Sequence, residues 1–403
     1  MTPTHYVGLS IGPIYDTITQ ARKTRELWLA SYLFSHLMQE LLGELSKAGF
    51  DILSPQEATV SGDRFGAGLY PDRLYATGNE EGLGQLEAAI GKAIGNAQEK
   101  LFNTVKPPEG FAGDAAAFNV KLLQEKFWER YFRIVHVAVP KAEIENGNVL
   151  GHLNDRLDTL ELQPKFFAEE PEINGLLHLL VNPYQTTLAR QGLKATSDDA
   201  YRDLTRDFGN LQRFPSTSEI ASLQLHQLFP EAFEALRNLA KANISESDPD
   251  QASGEDDDVI QELYRLLYAV NGTPGDQFEA LRNAAQPYHK YFCIVQADGD
   301  NFGKVIESLG SDHQAIRSFS EKLADFGITT AGIINDFGGK PIYIGGDDLV
   351  FFAPVVAQHR ESNDPVTVFD CIAAIDEAFH ALHLHAVAPS TGEKDKPEDR
   401  PKP

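Results

Sequence analysis

The chain has 403 residues, 42% of them hydrophobic and 23% charged, which is enough apolar material for two or three cores at roughly 150 residues each. Thirty-five Lys and Arg against 59 Asp and Glu leave a formal net charge of −24, a surface that repels phosphate backbones and argues against autonomous nucleic-acid binding. With no apolar run of about 18 residues, no basic-then-apolar leader and only Cys293 and Cys371, a membrane span, a signal peptide and a CxxC zinc or disulfide scaffold are excluded, and a cytoplasmic protein is expected.

In chain order, a first strand is expected over 6–11, broken by Gly12-Pro13. A long helix is expected over 17–42, where Leu27, Ala30, Phe34, Leu37 and Leu41 step by three and four. Two short strand-like pieces follow at 51–55 and 70–75, then a helix over 84–105. Strand, helix, two strands, helix is the order of a ferredoxin-like βαββαβ unit. The region 115–285 reads as mostly helical, with helices expected over 121–137, 175–180, 217–228 and 230–243. Within it, residues 245–258, SESDPDQASGEDDD, lack the apolar surface to repay ordering and read as a disordered acidic loop.

The pattern then repeats. A strand is expected over 291–297, and a helix over 313–335 with Ile316, Phe319, Leu323, Phe326, Thr330 and Ile333 on one face. Strands over 341–344 and 349–352 pinch Gly345-Gly346-Asp347-Asp348 between them, and a last helix is expected over 366–385. The fold class is therefore α+β: two ferredoxin-like domains, at 1–140 and 287–388, flanking a helical domain at 141–286, with a linker-like tail at 389–403. The second unit is expected to be incomplete at its last strand. In the 4-1-3-2 strand order that would leave its first strand with an open edge, so another segment or polypeptide is expected to cover it.

The strongest chemical constellation is Asp298-Gly299-Asp300-Asn301-Phe302-Gly303-Lys304 together with Gly345-Gly346-Asp347-Asp348. In a βαββαβ unit the first two strands run the same way with the third between them. The end of the first strand therefore lies beside the tip of the hairpin formed by the other two, which brings Asp298 towards Asp347 and Asp348. Three convergent carboxylates repel unless a divalent cation neutralises them, and Mg²⁺ or Mn²⁺ suits a few carboxylates completed by water and substrate phosphates. Glycines supply positive φ at a tight tip and let a triphosphate approach the backbone. Two metals about 4 Å apart would then activate an attacking hydroxyl and stabilise leaving pyrophosphate. Taken alone, the Gly-Gly-Asp tip also reads as a plain hairpin turn.

These segments resemble the second palm domain of the large subunit of type III CRISPR–Cas effector complexes. Ser10-Ile11-Gly12-Pro13-Ile14-Tyr15-Asp16 and Ala21-Arg22-Lys23-Thr24-Arg25-Glu26-Leu27-Trp28 resemble the opening of the first palm in the Cmr (type III-B) branch, and Phe214-Pro215-Ser216-Thr217-Ser218-Glu219-Ile220-Ala221 resembles a segment of its helical middle. Together the three stretches span nearly the whole chain. The resemblance implies adenylyl-cyclase-type palm domains, ATP as substrate, Mg²⁺ as cofactor, and synthesis of a signalling nucleotide when guide RNA pairs with target RNA. The product would be a cyclic oligoadenylate or a conjugate of AMP with S-adenosylmethionine as co-substrate. The implied partners are the other Cmr-type subunits with guide and target RNA, and no membrane.

Residue by residue, the resemblance implies that Asp298, Asp347 and Asp348 hold metal and that Asp347 and Asp348 are the catalytic pair. Gly345 and Gly346, with Gly299, Asn301 and Lys304, would border the nucleotide. The first palm has no GGDD; its Tyr70-Pro71-Asp72-Arg73 would face the second nucleotide rather than hold metal. No His-Asp dipeptide is present, so no HD nuclease activity is expected, and the family's central zinc cysteines are missing.

Weaker features have bland readings. Arg22, Lys23 and Arg25 open a helix, His380, His383 and His385 resemble metal spacing on an amphipathic helix, and Trp28 and Trp128 read as core. Ser216 and Glu219 read as a capping box. Two other functions compete with the enzyme: a catalytically silent scaffold of the CRISPR ribonucleoprotein, and a stand-alone cyclase making cyclic dinucleotides.

Overall fold

Tyr6, Val7, Leu9 and Ile11 are all buried on strand β1 (His5–Gly12), which is apolar on both faces because it has neighbours on both edges and helices above and below. In this computed structural model the described residues are 3–21, 24–60, 68–103, 131–144, 147–162, 215–247, 262–267, 278–300, 302–359 and 364–382. Helices α1 (Ile14–Thr19) and α2 (Thr24–Lys47) follow β1, so the single helix expected over 17–42 is two. Then come β2 (Asp51–Ser54), β3 (Arg73–Gly78), α3 (Glu80–Leu83), α4 (Leu86–Asn103) and β4 (Arg133–Pro140). The sheet order is β2-β3-β1-β4, with each neighbouring pair antiparallel.

Strand β4 corrects the helix expected over 121–137. The full length of β4 pairs with β1, from His5 opposite Pro140 to Gly12 opposite Arg133. Ile134, Val135, Val137 and Val139 are β-branched, and such side chains fit a pleated ladder better than a helix. The earlier part of that expected helix with Trp128, the one over 175–180, and nearly all of the acidic loop lie outside the described residues.

Helices α2 and α4 cover one face of this sheet through Trp28, Leu33, Leu37, Leu41, Ile90 and Ala93. On the other face lies α5 (Val149–Glu161), which buries Leu150, Leu153 and Leu157 against β1 and β4. Next in the chain come α6 (Thr217–Ala221), α7 (Leu223–Leu228), α8 (Pro230–Ser247), a helical stretch at 262–267 and α9 (Glu279–Ala284). Helices α7, α8 and α9 and the 262–267 stretch share a core of their own, built on Leu225, Phe233, Leu236, Leu263, Leu267 and Leu281, while α6 sends Ile220 into the core of the first sheet. Ser216 and Glu219 form the expected capping box: the Glu219 N–H donates to Ser216 Oγ at 3.3 Å, and the Ser216 N–H donates to Glu219 Oε2 at 2.9 Å.

The second sheet has the order β5-β7-β6, from β5 (Phe292–Ala297), β6 (Lys340–Gly345) and β7 (Asp348–Pro354). Both β5 and β6 are antiparallel to β7, so they run the same way. Between β5 and β6 lie α10 (Phe302–Leu309) and the 25-residue α11 (His313–Phe337). A small pair, β8 (Val356–Gln358) with β9 (Pro365–Thr367), precedes α12 (Val368–His380), so the last helix begins two residues later than expected. Among the described residues no strand lies beyond β5, and its Ile294 is 64% exposed.

The two sheets are joined through shared cores. Helix α2 packs on β6 and α11 packs on β2. Ile342 and Phe352 of the second sheet enter the core of the first, while Leu309, Ile316 and Phe319 join Tyr6 and Leu53. Polar contacts reinforce the joint. Arg317 pairs with Asp51 at 2.5 Å, and the Gln56 N–H donates to Ser320 Oγ at 2.9 Å. Asp325 Oδ1 accepts from the Thr59 and Val60 N–H groups at 2.6 and 3.0 Å. No described helix is long and apolar enough to cross a membrane.

Candidate active site

Strands β6 and β7 are closed by the two residues Gly346 and Asp347, with Gly345 opposite Asp348 as the last pair of the ladder. Gly346 has φ +72, a conformation glycine adopts without a Cβ penalty. Two further glycines are required by space. A methyl group on Gly299 would fall 2.7 Å from Asp347 Cβ and 3.1 Å from its Oδ2, and one on Gly345 would fall 2.0 Å from the Tyr343 hydroxyl oxygen. The β5 end and the hairpin tip therefore meet backbone against side chain.

That approach gathers charge. Asp298, just beyond the C-terminal end of β5, lies close enough to the Asp348 carboxyl for the two to interact. Burial first, then the Asp298 charge, raises Asp348 above the usual carboxylate range. Asp347 is pushed up to about 6, mainly by burial and further by the charges of Asp348 and Asp298, while the Gly299 N–H acts in the opposite sense. Among the described residues no three His, Cys, Asp or Glu side chains are drawn to closed metal-ligand spacing. The trio is thus an open acidic group. Openness suits Mg²⁺, which takes one or two carboxylates, keeps waters and completes its octahedron with substrate phosphates. Lys304 is exposed on α10, and Asn301 lies outside the described residues.

The raised carboxyl has a stability consequence with a definite sign. A folded state that holds the Asp347 proton up to about pH 6 is favoured below the ordinary aspartate range and loses that advantage as pH rises through 6. The full linkage of about 3 kcal/mol falls to about 1 kcal/mol at this half-exposed position. Without divalent cation, Asp347→Asn is expected to raise unfolding stability by about 1 kcal/mol at pH 7.5 and by nothing near pH 4, as read by urea denaturation at the two pH values.

The first sheet supplies a wall to this group. The Ile344 N–H donates to Gly68 O at 2.9 Å, and Gly68 bridges Tyr343, which fixes the chain ahead of β3 against β6. Burial raises the Asp72 carboxyl, and its charge reaches Asp348 and Tyr343. Arg73 turns away to α5, donating to Asn154 Oδ1 at 2.9 Å and pairing with Asp158 and Glu161. Sequence reasoning left both Asp72 and Tyr343 out of the acidic group. Tyr343 was findable, because residues two apart on a strand share a face and Gly345 is the second residue after it. Asp72 was not, since only packing between the sheets brings it there.

The other expectations resolve simply. Trp28 is buried and stacked on Tyr32, with ring centroids 4.9 Å apart. His380 is exposed and its Nδ1 lies 2.9 Å from the Asp376 carbonyl oxygen, while His383, His385, Arg22 and Lys23 lie outside the described residues.

Two family models match the sequence: "Cas10/Cmr2, second palm domain" over residues 291–393, and "CRISPR-associated protein Cmr2, N-terminal" over residues 6–60. The chain is Cmr2-like. No curated protein matches it. Among solved structures, the Cmr2-like chain is similar to one in "Type III-B Cmr-beta Cryo-EM structure of the Apo state", at 15% identity and a TM-score of 0.49, over 94% of this chain and 61% of that one. It is also similar to one in "Cryo-EM structure of the Type III-B Cmr-beta bound to cognate target RNA", at 12% identity and a TM-score of 0.45, over 94% and 62%. The Cmr2-like chain thus spans about three-fifths of the length of the chains it matches.

Proposed function

We propose that the chain is a nucleotidyltransferase of the palm type, the large subunit of a type III-B CRISPR effector, that makes an adenylate signal when guide RNA pairs with target RNA. One observation carries the reading: Asp298, Asp347 and Asp348 gather around a glycine tip within the segment that matches the second palm domain. The strand orders β2-β3-β1-β4 and β5-β7-β6 support a pair of ferredoxin-like palms, of which only the second carries the acidic tip. In the reaction, a ribose hydroxyl (or another nucleophile) forms a bond to the α-phosphorus of ATP. The bond from that phosphorus to the bridging oxygen breaks, pyrophosphate leaves with the electron pair, and the proton of the attacking hydroxyl passes to solvent.

Asp298, Asp347 and Asp348 would hold Mg²⁺ or Mn²⁺, whose charge when bound stabilises the negative charge that develops on the phosphates. The chain's own residues do the rest. Gly345 and Gly346 border the triphosphate, Gly346 with open space beside its backbone and Gly345 covered by the Tyr343 hydroxyl, and the repelling carboxylates create the demand for a cation. The matching families support Cmr-type subunits, guide RNA and target RNA as partners. With a net charge of −24, the chain depends on those subunits for RNA contact.

The test is incubation of the complex, reconstituted with guide and target RNA, with α-labelled ATP and Mg²⁺, with and without S-adenosylmethionine. A target-dependent adenylate product is expected, and its mass distinguishes a ring from a conjugate. No product from the intact complex would leave the chain a silent scaffold.

A further inference from the structure

The acidic group has a neighbour of opposite hydrogen-bonding character. Tyr343 and Gly345 are alternate residues of β6 and share one face of the strand. The Tyr343 ring lies along that face so that its hydroxyl takes the place of the side chain that Gly345 lacks. A methyl on Gly345 would meet the hydroxyl oxygen at 2.0 Å, Cζ at 2.3 Å and Cε2 at 2.8 Å. The strand that carries the ring is held in place here, because the Tyr343 backbone is bridged to Gly68 and the next residue's N–H is bonded to Gly68 O at 2.9 Å. We propose that Tyr343 is a ligand-contacting residue of this site, whose hydroxyl donates to the nucleotide phosphate admitted by the glycine tip.

The chemistry favours this role. Ionised Asp72, Asp347 and Asp348 can only accept hydrogen bonds, and each repels a phosphate. A tyrosine phenol keeps its proton at neutral pH, so Tyr343 enters the site as a neutral donor. A neutral O–H beside carboxylates can turn to a phosphate oxygen without bringing further negative charge to the tip. The inference rests on the reading of the tip as a nucleotide site.

Tyr343→Phe removes only the hydroxyl. Binding of ATP with Mg²⁺ to the full chain, measured by calorimetry, is expected to weaken roughly 10- to 100-fold, the range for a hydrogen bond to a charged group. Binding of adenosine, which has no phosphate, and the thermal unfolding temperature are expected to stay the same. Unchanged ATP affinity in the variant overturns this role alone, whereas a wild-type chain that binds no ATP overturns the nucleotide site with it. If the phenylalanine variant loses its cooperative thermal transition, Tyr343→His, which keeps a ring N–H donor, takes its place. Retention of ATP affinity within about threefold then supports the donor role, and loss of ATP but not adenosine binding overturns it.

Discussion

Replacing Asp347 and Asp348 together by alanine is expected to lower adenylate synthesis by at least about three powers of ten, because a cation at a reacting phosphate contributes several kcal/mol to transition-state stabilisation. The effect should fall on turnover and not on the fold. Asp348 is exposed and Asp347 only partly buried, and their mutual repulsion opposes folding instead of supporting it. The complex should therefore still assemble on a sizing column and still hold guide RNA. The measurement is product formed per complex with α-labelled ATP, alongside assembly of the same preparation. Synthesis at the wild-type rate by the double variant would remove these two residues from the chemistry. The loss should also be non-additive: once either carboxylate is gone the cation is poorly held, so each single variant should approach the double variant.

Phe351→Ala is expected to have the largest effect on stability. Phe351 is fully buried in the central strand β7, three residues after Asp348, and packs in the core made by α11, α12 and the second sheet. Truncating a buried phenylalanine costs about 3–5 kcal/mol, from lost transfer energy plus the cavity that remains. Ile294→Ala on the neighbouring strand, at a side chain 64% exposed, should change stability by no more than about 0.5 kcal/mol. Urea denaturation of the two variants gives the comparison. Equal, small losses would mean that the second sheet is not cored as described. The two predictions separate cleanly, since the tip carries chemistry and the strand behind it carries stability.

Much of this arrangement was legible in the sequence, for identifiable reasons. The repeated strand–helix–strand–strand order showed because α2 and α11 are long and amphipathic, and their periodicity survives without tertiary information. The approach of Asp298 to the GGDD tip followed from strand direction alone. Strand β4 was misread because apolar Phe127, Trp128, Tyr131 and Phe132 just before it sit at helical spacing and overran the β-branched run that followed. Its side chains are mostly half-buried, so it also lacks a clean alternation of apolar and polar residues. Asp72 was beyond reach for a different reason. Nothing local in Tyr70-Pro71-Asp72-Arg73 says that its aspartate turns to the second sheet while its arginine turns to α5. That division of neighbouring charges is decided by packing across the joint.

The joint itself has a symmetry. In the strand orders β2-β3-β1 and β6-β7-β5, α2 stands to the first sheet as α11 stands to the second, and each helix lies against the other sheet's outer strand, α2 on β6 and α11 on β2. Corresponding patches meet reciprocally, as in an isologous two-fold dimer, except that both copies lie on one chain. A surface that mates with its own counterpart ties each copy's helix to the other's sheet. A change on the inner face of α2, at Leu37 for example, would therefore be felt in its own half and in the core that Ile342 and Phe352 of the other half share with it. The copy that lacks the GGDD tip is thereby half of the seat on which the acids of the other are held.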